Sequence, residues 1–256
     1  MRKIGLDLVR GIAIILVLFR HSDLDNNILK HFGWLGVDLF FVLSGFLISN
    51  LLFNEYKKNK EIRVKRFLAR RAFKIFPPFY FFLLATLIFK FAITNSTVEW
   101  YRLLSEVLYL QNYFPSIWLH TWSLAVEEQF YLLFSLTLLV VTRKQFLENR
   151  NIIISSLVLL LALSFVLRFY VSYPHRNEEF FSFVKTHLRS DGIVLGVLLS
   201  YILNFTNFNV IFLKRKWILI CISVLLIAPG FYWNVGSFFM NTVGLTLVNI
   251  GFSIHN

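Results

Sequence analysis

The stretch GWLGVDLFFVLSGFLIS, residues 33–49, contains a single charged side chain, Asp38, among apolar, small and hydroxyl residues. Such a run is typical of a transmembrane helix, since about 20 mostly apolar residues span the hydrocarbon core. The whole chain shares this chemistry: it is 57% hydrophobic and 16% charged, whereas soluble domains carry about 25% charged residues. This composition excludes a soluble globular domain and a disordered chain, and the single cysteine excludes a disulfide scaffold.

Apolar segments recur along all 256 residues and predict an all-α, polytopic transmembrane bundle. The chain is long enough for about eight spans of about 20 residues with short loops. The predicted spans lie near 6–22, 33–53, 75–94, 117–141, 152–170, 189–205, 217–233 and 238–254. The sequence contains no recognisable soluble domain or internal repeat, so residues 1–256 are predicted to form a single transmembrane domain.

The net charge of +12 is distributed unevenly between the two sides of this bundle. With the N-terminus on the cytoplasmic side, most of the 26 Lys and Arg residues fall on that side, including those between Lys57 and Lys74. This asymmetry follows the positive-inside rule and predicts a cytoplasmic N-terminus. The basic excess is therefore interpreted as a topology signal, and no nucleic-acid partner is expected.

The first predicted span is bounded by two polar groups, Arg10 and His21. The apolar run between them, 11–19, covers only about 14 Å, whereas the hydrocarbon core is about 30 Å thick. Their separation places Arg10 and His21 on one helix face, about 16 Å apart along the axis. In a protein-lined cavity they could serve the two ends of a long substrate. Alternatively, Arg10 reaches to the headgroups and His21 caps the helix.

Two carboxylates lie inside predicted spans, where an ionised group needs a partner. Asp38 is predicted to pair with one of the two polar groups of the first span. Glu127 falls about 15 Å into the fourth predicted span, near the bilayer midplane. It shares one face of that helix with His120 and Tyr131. A functional role is predicted for Glu127, and a structural ion pair for the adjacent Glu128.

A cationic edge is predicted at the cytoplasmic mouth of the third span. Arg70 or Arg71 and Lys74 are three or four residues apart and therefore lie on one side of a helix. The planar guanidinium group of Arg suits phosphate groups. Anionic lipid headgroups would fit the same edge, and charge alone does not separate the two ligands. The six His residues are scattered, and no metal site is predicted.

Taken in order, these segments resemble the membrane-bound acyltransferase-3 family, whose members O-acylate surface polysaccharides and other acceptors. The matching positions are Arg10 and His21, residues 36–46, Arg70, Arg71, Lys74 and Pro77, residues 122–131, and Arg189, Asp191 and Gly196. The family usually carries Arg at the position of Lys74. Its core usually has about ten spans, so this chain is expected to lack the last ones.

The resemblance implies transfer of an acyl group, most often acetyl, from acyl-coenzyme A to a hydroxyl of a carbohydrate or other cell-envelope acceptor. The donor is then a co-substrate and no cofactor stays bound. His21 would be the general base, with Asp38 or Glu127 orienting its ring, or would itself carry the acyl group. The phosphates of the donor would be held by the cationic groups Arg10, Arg70, Arg71 and Lys74. The expected location is the bacterial cytoplasmic (inner) membrane.

Two other functions fit the residues. A transporter or flippase would also carry polar midplane groups and a broken helix, as predicted at Pro229-Gly230, although no inverted halves are recognisable. An inactive, truncated family member would retain only a packing role. The outward connection 170–187 is interpreted either as an acceptor contact or as an ordinary solvated loop.

Overall fold

The computed structural model describes residues 4–22, 27–94, 97–143, 146–173, 184–206 and 215–255. Every regular element within these ranges is helical. The α-helices are α1 (Ile4–His21), α2 (Asn27–Phe32), α3 (Leu35–Asn59), α4 (Val64–Thr94), α5 (Trp100–Val107), α6 (Trp122–Arg143), α7 (Arg150–Ser172), α8 (Thr186–Arg189), α9 (Asp191–Phe205), α10 (Lys216–Ile227), α11 (Pro229–Tyr232) and α12 (Leu245–His255). Short 3₁₀ turns at Leu119–Thr121 and Phe146–Glu148 precede α6 and α7, and a π-helical segment, Met240–Gly244, precedes α12. The all-α prediction is confirmed for the described residues.

Four segments are long and apolar enough to cross a membrane: Lys30–Asn59, Val64–Ile93, Leu119–Thr142 and Arg150–Ser172. The apolar helices Asp191–Phe205, Lys216–Tyr232 and Met240–Ile254 are shorter. The first predicted span corresponds to α1, which carries Asp7, Arg10 and Arg20 and is not among the four. Membrane-protein character therefore follows from the fold, while eight spans and a cytoplasmic N-terminus stay predictions.

The centre of the bundle is the contact between α3 and α9. A Cβ atom on Gly45 would come within 2.0 Å of the backbone oxygen of Ile193, and one on Gly196 within 2.1 Å of the backbone oxygen of Val42. Only glycine permits the two backbones to approach so closely, a frequent means of packing helices in membranes. This contact fixes the side of α3 that carries Asp38 against the beginning of α9.

The segment between α4 and α6 turns back along α4 instead of forming a simple outward loop. The hydroxyl of Tyr80 donates a hydrogen bond to the backbone oxygen of Val107 (3.1 Å), and the ring of Tyr109 packs 4.7 Å from that of Phe79. Tyr80 lies about 21 Å before the end of α4 at Thr94. The chain after α4 therefore returns about this distance before it enters α6.

Polar side chains of this returning segment, residues 97–118, are bonded within the protein. The amide of Gln111 donates to the backbone oxygen of Thr121 (3.1 Å), and the amide of Asn112 donates to the hydroxyl of Thr186 (2.8 Å). The amide of Gln129 donates to Asn112 in turn (2.9 Å). Irregular backbone at membrane depth is tolerated where protein covers it in this way. The returning segment consequently forms one wall of the site described next.

Candidate active site

Two histidines from separate helices meet at one end of the site. The ring of His21, at the end of α1, lies 5.9 Å from the ring of His120, with the two planes at 63°. Both residues are exposed. The rings of Phe82 (5.9 Å) and Trp118 (6.2 Å) flank the other sides of His120. The structure thus places His21 beside a second imidazole that the sequence indicated only as part of the α6 face.

A second pair of polar groups lies deeper along the same two helices. Arg10 is about three turns from His21 on α1, and Glu127 of α6 is about two turns beyond His120, which lies in the 3₁₀ turn before that helix. Arg10 is half-buried and lies close enough to Glu127 for its charge to act on the carboxylate. The polar face of α1 therefore runs beside the polar face of α6, with the two histidines at one level and Arg10 with Glu127 at another.

Arg71 closes the inner end of this arrangement. Its Nη2 atom lies 2.8 Å from Oε1 of Glu128 and 3.6 Å from Oε2 of Glu127. Its guanidinium group lies 3.6 Å above the centre of the Tyr131 ring. A guanidinium stacked on an aromatic face and paired with carboxylates is well suited to burial. Arg71 therefore fixes the end of α6 that carries both glutamates, and Glu128 has the ion pair predicted for it.

The three predicted cationic groups do not form one edge. Arg70 and Lys74 are exposed, whereas the Arg71 side chain is only 17% exposed and points towards α6. Helical spacing places Arg70 and Lys74 on one side of α4, and the ion pairs with Glu127 and Glu128 draw the Arg71 side chain towards α6. Of these three groups, Arg70 and Lys74 can meet a ligand from outside without breaking an ion pair between described residues.

The predicted partner of Asp38 is wrong. Arg189 of α8 donates from Nη2 to Oδ1 of Asp38 (2.8 Å), and the carboxylate is 1% exposed. The partner is therefore neither Arg10 nor His21. The reason is the close packing of α3 on α9, which turns Asp38 towards the elements that follow α7. Asp38 consequently does not contact the ring of His21 in the described part of the chain.

A further buried ion pair joins α7 to α9. The guanidinium group of Arg168 lies 2.7 Å from Oδ2 of Asp191 and also donates to the hydroxyl of Thr246 (2.6 Å). The amide of Asn249 donates to the same carboxylate (3.1 Å). The sequence pattern alone did not identify Arg168 as a buried group, although Arg168 interrupts an apolar span in the same way as Arg10.

Several buried polar atoms have no hydrogen-bond partner among the described residues. They include Oδ2 of Asp38, Oε1 of Glu127 and the hydroxyl of Tyr131. Since buried polar groups are normally hydrogen-bonded, such atoms indicate places where water or a ligand completes the bonding. The site therefore offers acceptors and a hydroxyl next to the cationic Arg71. The described residues contain no cluster of His, Cys, Asp and Glu that could hold a metal ion.

The predicted acceptor loop is only partly described. Residues 174–183 lie outside the described residues. At the end of this connection, Nδ1 of His187 lies 2.9 Å from the hydroxyl of Tyr113, and the two rings are stacked. His187 thereby attaches the described end of this connection to the returning segment that also supports His120.

Comparison with known proteins shows that this chain is similar to one family of acyltransferases. Residues 3–255 match the acyltransferase domain family. The chain is 31% identical over 214 residues to the O-acetyltransferase OatA of Staphylococcus aureus (strain NCTC 8325 / PS 47), which covers 77% of this chain and 34% of that protein. It is 27% identical over 225 residues to the peptidoglycan O-acetyltransferase OatA of Listeria monocytogenes serovar 1/2a, which covers 80% and 35%. The chain thus spans about a third of the length of these curated relatives. No solved structure matches it.

Proposed function

The chain belongs to the acyltransferase-3 family, and we propose that it acts as an integral-membrane O-acyltransferase. It transfers an acyl group, most often acetyl, to a hydroxyl of a cell-envelope carbohydrate. The names of the two relatives, O-acetyltransferases of which one acts on peptidoglycan, support this acceptor class. The proposed location is the bacterial cytoplasmic membrane, with the chain crossing it several times and the N-terminus in the cytoplasm.

The observation that carries this proposal is the order of polar groups along α4 and the beginning of α6. The exposed cations Arg70 and Lys74 lie on α4 beside Arg71, which is paired with Glu127 and Glu128, and the exposed histidine pair lies about two turns from Glu127. An acyl-coenzyme A molecule matches this order, since its phosphates lie at one end, where they could meet the cations, and its thioester lies at the other, where it could meet the histidines. Arg70 and Lys74 would bind the phosphates, and Arg10 would face the pantetheine arm. Arg71 would hold Glu127 and Tyr131 in place rather than bind the donor.

His21 would act as general base, because a histidine changes its protonation near neutral pH. It takes the proton from the acceptor hydroxyl while the oxygen attacks the thioester carbonyl carbon. The carbon–sulfur bond then breaks, and the coenzyme A thiolate leaves and takes up a proton. If His21 instead attacks the thioester, an acyl-histidine forms first and the acceptor hydroxyl releases it. Both routes need the His21 ring.

Coenzyme A release by the purified chain in detergent tests the proposal. With acetyl-coenzyme A and a carbohydrate acceptor, we expect release to fall by about 100-fold or more in His21→Ala, because a general base contributes at least that factor. His31→Ala, on the short α2, is the matched control and should retain turnover. Acceptor-independent movement of a solute through vesicles containing the chain, without coenzyme A release, would instead identify a transporter.

A further inference from the structure

The returning segment carries a buried carboxylate that the proposed mechanism does not use. Glu106, near the end of α5, has 0% of its surface exposed. The described residues supply no cation within ion-pair distance of it. A buried carboxylate without a cation is costly unless hydrogen bonds stabilise its charge. The donors of those hydrogen bonds therefore identify the part of the chain that Glu106 stabilises.

Among the described residues, every hydrogen bond of the Glu106 carboxylate ends on the turn that precedes α6. Its Oε1 atom accepts from the backbone N–H of Ile117 (3.2 Å) and of Trp118 (3.0 Å). The hydroxyl of Thr121 lies 2.9 Å from Oε2. Gln111, on the same returning segment, also donates to the backbone oxygen of Thr121 (3.1 Å). The returning segment thus forms hydrogen bonds with both ends of the turn 117–121.

This turn carries His120, whose ring meets the ring of His21 edge to face at 5.9 Å. The carboxylates that were expected to orient His21 lie elsewhere: Asp38 is bonded to Arg189, and Glu127 is held by Arg71. In the described part of the chain, the ring contact with His120 is therefore what orients the His21 ring. The position of the His120 ring depends on the conformation of the turn 117–121, and the hydrogen bonds of Glu106 stabilise that conformation.

We infer that Glu106 is a positioning residue: it holds the 117–121 turn so that His120 packs against His21 and keeps that ring aimed at the reacting hydroxyl. The inference rests on the proposed function of His21. Glu106 itself is fully buried behind the turn and touches no substrate. Its effect on turnover passes through His120.

Glu106→Gln tests the inference with almost no change in shape. The amide keeps one oxygen that can accept from both backbone N–H groups, but its NH₂ group replaces Oε2 and cannot accept from the hydroxyl of Thr121. The remaining hydrogen bonds also lose the negative charge that strengthens them, so the turn loosens. We expect kcat for coenzyme A release to fall by about tenfold to 100-fold with KM for the acyl donor unchanged, since a small misplacement of a reacting group costs a factor of this order. Glu99→Gln is the control, because Glu99 lies on the same segment but is exposed. Thr121→Val, which removes the anchor from the other side, should reproduce the effect.

A double-mutant cycle with His120→Gln separates positioning from general damage. If Glu106 acts through His120, Glu106→Gln has little further effect on the His120→Gln chain. An equal loss of turnover in both backgrounds would overturn the inference.

Chemical labelling tests the same point without turnover. The rate of modification of His21 and His120 by diethyl pyrocarbonate, measured on their peptides, should rise several-fold in Glu106→Gln and stay constant in Glu99→Gln. Unchanged labelling in a folded Glu106→Gln chain would contradict the positioning role. A wild-type chain that releases no coenzyme A but shows the labelling difference would reject the proposed function and leave the geometry of the turn supported.

Discussion

Asp38 of α3 and Arg189 of α8 lie 2.8 Å apart, and the side chains are only 1% and 9% exposed. The guanidinium group of Arg189 also lies 5.5 Å from the ring of Trp122, at the beginning of α6. One ion pair therefore connects the three elements that surround the middle of the site. The arrangement assigns Asp38 to the stability of the site and not to the orientation of His21.

Asp38→Asn should destabilise the fold strongly, because it leaves Arg189 buried without its counter-charge. We expect a loss of about 3 kcal/mol or more in the free energy of unfolding, measured by denaturation in mixed micelles. Asp38→Asn combined with Arg189→Gln should recover part of this loss, since the buried charge is then also removed. Equal stability of the wild type and both single variants would show that the pair contributes nothing.

Glu127 and Glu128 are adjacent, so the same substitution at each position separates an effect on turnover from an effect on stability. Glu127→Gln should abolish most coenzyme A release, because Oε1 of Glu127 is buried without a hydrogen-bond partner among the described residues and is therefore open to a ligand. The midpoint of thermal unfolding should stay close to that of the wild type, because Oε2 of Glu127 lies 3.6 Å from Arg71, farther than a hydrogen bond. Glu128→Gln should instead lower the unfolding midpoint, since Glu128 holds Arg71 at 2.8 Å. The opposite pattern would transfer the functional role to Glu128.

Lys74 lies on the exposed cationic edge, and a substitution there should strengthen the binding of acyl-coenzyme A. Lys74→Arg should tighten binding of acyl-coenzyme A by about threefold or more, because a guanidinium group binds a phosphate through two parallel hydrogen bonds. Arg70→Ala should weaken binding, and the loss should shrink at high salt. Isothermal titration calorimetry measures both effects. Lys65→Arg, an exposed position on the same helix, is the control, and a similar gain there would indicate a non-specific charge effect.

The close contact of α3 with α9 can be tested at a single atom. Gly196→Ala places a Cβ atom 2.1 Å from the backbone oxygen of Val42, so that the two helices must separate. We expect a loss of about 1–3 kcal/mol or more in the free energy of unfolding, the range for overpacked cores. Gly11→Ala is the control, because no described atom lies within 4 Å of its added Cβ, apart from its chain neighbours and the adjacent backbone of α1.

Gly11→Ala should leave stability unchanged or raise it by about 0.5–1 kcal/mol, as expected for a glycine replaced within a helix. Equal losses for both glycine variants would show that the α3–α9 contact is not the reason for the effect of Gly196→Ala.

The sequence predicted well what depends on neighbouring residues. The apolar runs gave a helical membrane protein, and helical spacing placed Glu127 with Tyr131 on one face of α6 and Arg10 with His21 on one face of α1. His120, which was predicted on the same face as Glu127, lies instead in the 3₁₀ turn Leu119–Thr121 before α6. The ion pair of Glu128 followed from its direction relative to Glu127. These predictions held because hydropathy and the 3.6-residue period are local properties that each segment carries by itself.

The tertiary structure alone decided which charges meet. The sequence showed that Asp38 needs a partner, but Arg189 reaches it only because two glycines bring α3 and α9 into contact. Glu106 lies in the short helix α5, outside the predicted spans, so its role emerges only when the returning segment lies against the turn before α6. Likewise, the contact of His21 with His120 joins two helices far apart in the chain. Local periodicity sets the face of each residue, whereas packing between distant segments determines what that face meets.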